Sequence, residues 1–193
     1  MVWEPIISPI ATLLATFLGP WYAFRIARRH QEAKDAIARQ AACVQLTLSV
    51  LRDYEDHEFS KRRITLAEFQ RDWDTRKAQI LDIVFPSHGQ LATTFFSDDP
   101  NAPLFLAQHQ NVNRFVAYLF MLTAYAESGL IDTNLLQVFE PRYAAYRQLV
   151  NDLRLAVVAR AKEEGVHEPV WCAAIPKLER ILGLAPWQAN ATG

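Results

Sequence analysis

The sequence predicts an all-α protein in which an N-terminal transmembrane helix precedes an antiparallel helical bundle. Three observations lead there. Residues 5–24 run for twenty positions without a charged side chain and stop at Arg25, Arg28 and Arg29. Downstream, apolar residues recur at steps of three and four, the period of a helix with one buried face. No segment alternates apolar and polar residues as a half-buried strand would. At about 1.5 Å of rise per residue, the uncharged run would extend roughly 30 Å, the thickness of a bilayer hydrocarbon core.

The flanks of this run predict its orientation. The leader Met-Val-Trp-Glu contains no Lys or Arg, and the run is followed by Arg25, Ile26, Ala27 and Arg28 rather than by small residues. That pattern describes an uncleaved span, not a signal peptide. Basic residues beside a span resist translocation, so the N-terminus is expected outside and the rest of the chain in the cytoplasm. Trp3 and the Trp21-Tyr22 pair would mark the two interfaces. Pro20 removes a helical amide donor, which predicts a kink near Thr16, with the hydroxyls of Thr12 and Thr16 as replacement partners. The chain thus divides into an anchor (1–24), a basic collar and juxtamembrane helix (25–55), a cytoplasmic helical bundle (56–165), and a short C-terminal helix with a tail (166–193).

The collar comprises Arg25, Arg28, Arg29 and Lys34, with His30 among them and Glu32 opposing them. Each such cation near an anionic leaflet contributes about 1 kcal/mol of attraction. Fixing topology is the simpler use of the same charges. Beyond it, Ile37, Ala41, Val44, Leu48 and Leu51 form one apolar stripe on a helix continuing from the anchor. The stripe spans two heptads, short of the three or four that define a coiled coil. Its residues either pack into the chain's own bundle or form an oligomer seam through Ile37, Val44, Leu48 and Leu51.

A second helix is expected to open at a capping box, Thr65 with Glu68, present Leu66, Phe69, Trp73, Ile80 and Val84, and stop at Pro86. Turn-forming residues at 87–89 and 97–103 bracket a short helical piece over 91–96. A third helix runs over about 104–128, with Phe105, Val112, Phe115, Val116, Leu119, Phe120 and Thr123 on its apolar face and Gly129 as its stop. Asp132 or Thr133 caps the next helix, which Pro141 divides; its longer part, ending near Gly165, buries Tyr143, Tyr146, Val150, Leu153 and Val157. Pro176 opens a last helix through Leu182.

Composition excludes several activities. Twenty basic and twenty-one acidic residues give a net charge of -1, so no overall field favours nucleic acid. Cys43 and Cys172 form neither a CxxC pair nor a disulfide framework, which suits a reducing compartment. The five histidines fall at no metal-ligand spacing, and neither His57-Glu58 nor His167-Glu168 is followed by the second histidine of a zinc-protease helix. The six glycines are scattered, forming neither a P-loop nor a GxGxxG, and there is no GxSxG turn. No metal or cofactor is expected. The remaining catalytic candidate is an Arg with a His a few residues downstream, resembling the ribonuclease motif of small helical HEPN domains. Arg25 with His30, Arg52 with His57, and Arg160 with His167 have that form. Arg52 and His57 are the most motif-like, because a polar residue follows the Arg; residues five apart do not share one helix face, so a break between them or a composite site in a dimer is required.

The order of a single span, a basic exit, a long helix, the stretch NRFVAYLFMLTAYAESGLIDTNLLQVFEPRYAAY and a final amphipathic helix resembles a family of bacterial membrane proteins known only as a domain of unknown function. The resemblance covers residues 6 to 160. It departs at Met121, where related-looking proteins often carry an acid after the central aromatic pair, and it implies no catalytic residues. It implies a single-pass protein of the bacterial inner membrane. The expected function is a membrane-tethered, non-enzymatic interaction module at the cytoplasmic face, with the membrane, further copies of itself and a cytoplasmic protein as partners. Two alternatives stand beside it: an oligomeric pore-forming or accessory effector, similar to the small membrane proteins of CRISPR-type defence, and a HEPN-like ribonuclease.

Overall fold

The computed structural model describes the backbone of residues 4–86 and 99–187, and side chains from residue 21 onward within those ranges, apart from Glu58. Every element is helical, and no strand occurs among the described residues. In chain order they are α1 (Glu4–Glu55), α2 (His57–Val84), α3 (Ala102–Glu127), α4 (Thr133–Leu136), a 3-10 turn (Gln137–Phe139), α5 (Glu140–Ala144), α6 (Arg147–Glu164) and α7 (Val170–Ile181). The short helical piece expected over 91–96 lies outside the described residues.

Two compact units divide the chain, Met1–Cys43 and Val44–Gly193. The boundary falls inside the segment 25–55 that the sequence assigns to collar and juxtamembrane helix. In the first unit every residue from 21 to 42 is exposed. Among the described residues, no helix is long and apolar enough to cross a membrane. The side chains of 5–20, on which the anchor and the kink near Thr16 rest, lie outside them.

The second unit is a helical bundle with one core. Here α3 packs chiefly against α7 and α2, while α2 also meets α6. Val112, Phe115, Leu119 and Leu122 of α3 are wholly buried, as are Leu66 of α2, Val157 of α6 and Ile175 and Leu178 of α7. Because α3 is covered on two sides, its buried face is wider than the predicted one. It takes in Tyr118 and leaves Phe120 41% exposed, contrary to the expected placement.

Helix ends show where local signals held. Asp56 caps α2 by accepting from the His57 amide at 2.6 Å. The expected start at Thr65 is therefore corrected: Thr65 is buried inside α2, and its hydroxyl donates to the Lys61 carbonyl (3.2 Å) while accepting from Asn111 Nδ2 (3.1 Å). A Thr that bonds back one turn has the same sequence spacing to a following Glu as a cap does. Toward its far end α2 is interrupted at Arg76 (φ -126°), and it stops at Phe85, ahead of Pro86. Gly129 ends α3 with φ +69°, and the Leu130 amide reaches back to the Tyr125 carbonyl at 2.9 Å. A Cβ is strained at that φ, which is why glycine stands there.

Asp132 caps α4 through the Asn134 and Leu135 amides, and its own amide donates to Thr47 Oγ1 of α1 at 2.8 Å. Two proline expectations are corrected. Pro141 lies in the first turn of α5, and the break before α6 falls at Tyr146 instead (φ -114°). Pro176 lies within α7, which begins six residues earlier, after Pro169. An interior proline costs a helix about 3 kcal/mol. Burial of Trp171, Cys172, Ile175 and Leu178 on the same helix offsets it.

At the corner between α1 and α2 four rings meet. Tyr54 lies 4.8 Å from Phe59 and edge-on to Phe139 at 5.0 Å; Phe59 lies 4.8 Å from Tyr118. The Tyr118 hydroxyl donates to the Val50 carbonyl at 2.9 Å, and burial pushes the Tyr54 phenol up to about 12. Outside the rings, Glu55 accepts from Arg142 at 2.6 Å.

Leu119→Asp places an unpaired carboxylate at a site with no solvent exposure. It is expected to abolish the cooperative thermal transition in circular dichroism, whereas Lys162→Asp, on the exposed side of α6, should change stability by about 0.5 kcal/mol or less. Equal tolerance of both substitutions would show that the core is wrongly placed.

Candidate functional site

The collar residues Arg25, Arg28, Arg29 and Lys34 are all exposed on α1. Arg28 pairs with Glu32 one turn on (2.8 Å), Gln31 donates to Asp35, and Arg25 lies 5.0 Å from the Trp21 ring. Exposed pairs of this kind contribute little stability. They leave the cations available on the helix surface next to Trp21, Tyr22 and Phe24, each more than half exposed.

The stripe coincides only in part with the buried face of α1: Leu51 packs against the core of the second unit, and so is not free for a seam. In the first unit Ile37 is 68% exposed; in the second, Leu48 is 52% exposed and Val44 and Leu51 are half-buried. Among the described residues of α1, those buried are Thr47, Val50 and Tyr54, offset by one position from the predicted stripe. The reading in which the stripe packs into the chain's own core is thereby corrected at Leu48. The alternative, a face available to another chain, keeps an exposed surface.

Arg52 and His57 do straddle a break, since Asp56 separates α1 from α2. Both side chains are exposed, and neither lines the 460 Å³ groove beside that corner. That groove is walled by Asp53, Asp56, Arg62 and Arg114 around Phe59 and Tyr118. Arg25 and His30 are exposed on α1, and Arg160 is engaged by Asp82 and Glu164, both at 2.7 Å. Burial pushes the Cys172 thiol up to about 12, so it remains a neutral core group at ordinary pH.

Sequence reasoning missed the most developed polar cluster. Glu179, on α7, has 4% of its side chain exposed. Arg147 grips it with Nε to Oε1 and Nη2 to Oε2, both at 3.0 Å. Oε1 also accepts from Tyr143 Oη (2.9 Å) and Asn151 Nδ2 (2.7 Å). Arg147 and Asn151 stand one turn apart on α6 and so present one face to α7, and Tyr143 joins them from α5, across the break at Tyr146. Arg147 further donates to the Ala185 carbonyl and stacks 5.4 Å from the Trp187 ring, drawing the segment after α7 across the cluster. Burial alone would raise the Glu179 carboxyl. The bonds from Arg147, Asn151 and Tyr143 outweigh it and hold the group below its ordinary value. Burial and the adjacent Glu179 charge push the Tyr143 phenol upward, so it stays a donor. The four-residue spacing was visible in the sequence, but its partner lies 28 to 36 residues away.

A depressed carboxyl contributes stability that is complete above its unfolded value and is lost as pH falls through the folded one. Thermal stability is therefore expected to decline as pH drops below about 4.5. Glu179→Gln should flatten that decline while costing roughly 1–2 kcal/mol at neutral pH, and Glu179→Leu, which strands Arg147, should cost about 3 kcal/mol. A wild-type acid profile identical to that of Glu179→Gln would exclude this carboxylate as a source of the pH dependence.

No family model matches the chain, and neither a curated protein nor a solved structure shows significant similarity to it.

Proposed function

We propose that this protein is a membrane-tethered, non-enzymatic helical module, held by an N-terminal span at the cytoplasmic face of a bacterial inner membrane and acting by contact with other proteins. The observation that carries this reading is the run of twenty uncharged residues ending at Arg25, Arg28 and Arg29. Supporting it, the collar and its aromatic neighbours Trp21, Tyr22 and Phe24 are exposed on α1, as residues meeting headgroups must be. A tether confines the bundle to a surface, and that raises the local concentration of every copy and every partner without a new contact.

The exposed Leu48 and half-buried Val44 favour self-association as one of those contacts. Copies held by parallel spans have already lost part of the orientational freedom that pairing costs, so a short apolar face suffices.

Membrane fractions washed at alkaline pH should retain the protein, and a reporter fused after Gly193 should behave as cytoplasmic. Neutralising Arg25, Arg28 and Arg29 together should yield mixed orientation. Wild-type protein recovered wholly in the soluble fraction would overturn the tether.

The combination of Val44→Glu and Leu48→Glu should abolish cross-linking between copies while leaving membrane insertion and the helical spectrum intact. Cross-linking that survives in the folded double variant would remove this face from the contact.

A further inference from the structure

The groove at the corner between α1 and α2 carries opposite charges at its two ends. Its floor is laid by α2 and α3, which run antiparallel: Phe59 meets Phe115 and Tyr118 with ring centroids 5.9 and 4.8 Å apart, and farther along α2 Thr65 meets Asn111 at 3.1 Å. Position 62 on α2 therefore stands level with position 114 on α3, and position 56 with the stretch near Met121. The two arginines of the wall, Arg62 and Arg114, thus share one end. Asp56 takes the other with Asp53, whose carbonyl accepts from the Asp56 amide at 3.3 Å. From position 56 to position 62 a helix rises about 9 Å, and from 114 to 121 about 10 Å.

These charges are open to solvent. Asp53, Asp56 and Arg114 are exposed and Arg62 is half-buried. Among the described residues, no hydrogen bond or ion pair engages the side chain of Asp53 or of Arg114. Asp56 uses one carboxylate oxygen to cap the His57 amide and keeps the other. Arg62 lies over the Phe59 ring at 4.6 Å, which holds its guanidinium along the wall. Between the charged ends, exposed Ala117 and half-buried Met121 offer an apolar surface above the Phe59 and Tyr118 rings. An occupant that reaches both ends must be positive at one, negative at the other and apolar between, because an ion of a single sign meets its own charge at one end. We propose that this groove binds a linear zwitterion, an ω-amino acid. Its ammonium pairs with Asp53 and Asp56, its carboxylate accepts from Arg114 beside Arg62, and its methylene chain lies along Ala117 and Met121. This inference does not depend on the tether.

Calorimetric titration of the full-length protein in detergent, against a micelle blank, tests it with ω-aminocaprylate, whose extended chain sets its two charges about 10 Å apart. This compound should bind saturably, with half-saturation at about 1 mM or below. N-acetyl-ω-aminocaprylate, which lacks the ammonium, and ω-aminocaprylamide, which lacks the carboxylate, should each bind roughly fivefold more weakly. γ-Aminobutyrate, too short to reach both ends, should bind no better than these. Arg114→Gln should weaken ω-aminocaprylate roughly fivefold while leaving ω-aminocaprylamide unaffected, and Asp53→Asn should weaken it as much while leaving the N-acetyl compound unaffected. Both positions are exposed, so both variants should keep the helical spectrum. Absence of saturable ω-aminocaprylate binding overturns the proposal. So does equal affinity for the zwitterion and its singly charged analogues, or undiminished binding in the two folded variants.

Discussion

The second unit is organised around a carboxylate that cannot be left alone. An ionised Glu with 4% of its side chain exposed is tolerated only if its charge is matched and its oxygens are bonded where it lies. Glu179 meets both conditions through Arg147, Tyr143 and Asn151, and these come from α5 and α6, not from its own helix. The register of α7 against α6 follows, because a slip of one turn would strand the Arg and the Glu together. Apolar packing of Ile175 and Leu178 alone would tolerate several rotations of α7; the bidentate pair accepts one. The same Arg147 draws the segment up to Trp187 over the cluster, so one ion pair determines the position of a helix and of a chain turn.

A different kind of contact sets the corner between α1 and α2. There the joint is made by ring packing among Tyr54, Phe59, Tyr118 and Phe139, with Asp56 supplying the cap and Glu55 the outward ion pair to Arg142. Aromatic contacts of this geometry add about 0.5–1.5 kcal/mol each beyond the area they bury. The α1 face turned to these rings carries Thr47, Val50 and Tyr54, which leaves Leu48 in solvent. Packing at the corner thus decides which residues of α1 remain for contact with anything else.

The helical class was legible because it follows from spacing: Val150, Leu153 and Val157 on α6, and Val112, Phe115, Val116 and Leu119 on α3, recur at helical steps and are buried as that spacing requires. Stops at Gly129, Gly165 and Pro86 and the cap at Asp132 were legible because each acts through its own backbone within a turn of the chain. The start of α2 and the course of α7 were not. Thr65 and Pro176 carry local signals, and those signals lost to the burial of Phe59, ahead of Thr65, on one helix and of Trp171 and Ile175, ahead of Pro176, on the other.

By itself, then, the sequence determined the helical class, the sites of most chain reversals and the uncharged N-terminal run with its basic flank. Each depends on residues within a few positions of one another, where periodicity and turn chemistry act. Only the tertiary structure decided which face of α1 is covered, that Phe120 is exposed while Tyr118 is buried, and that Glu179 is met by Arg147. It alone brought Tyr143 and Asn151 to the same carboxylate. The physical reason is sequence separation. Partners 28 to 36 residues apart meet through the packing of whole helices, and no local propensity encodes which rotation that packing selects.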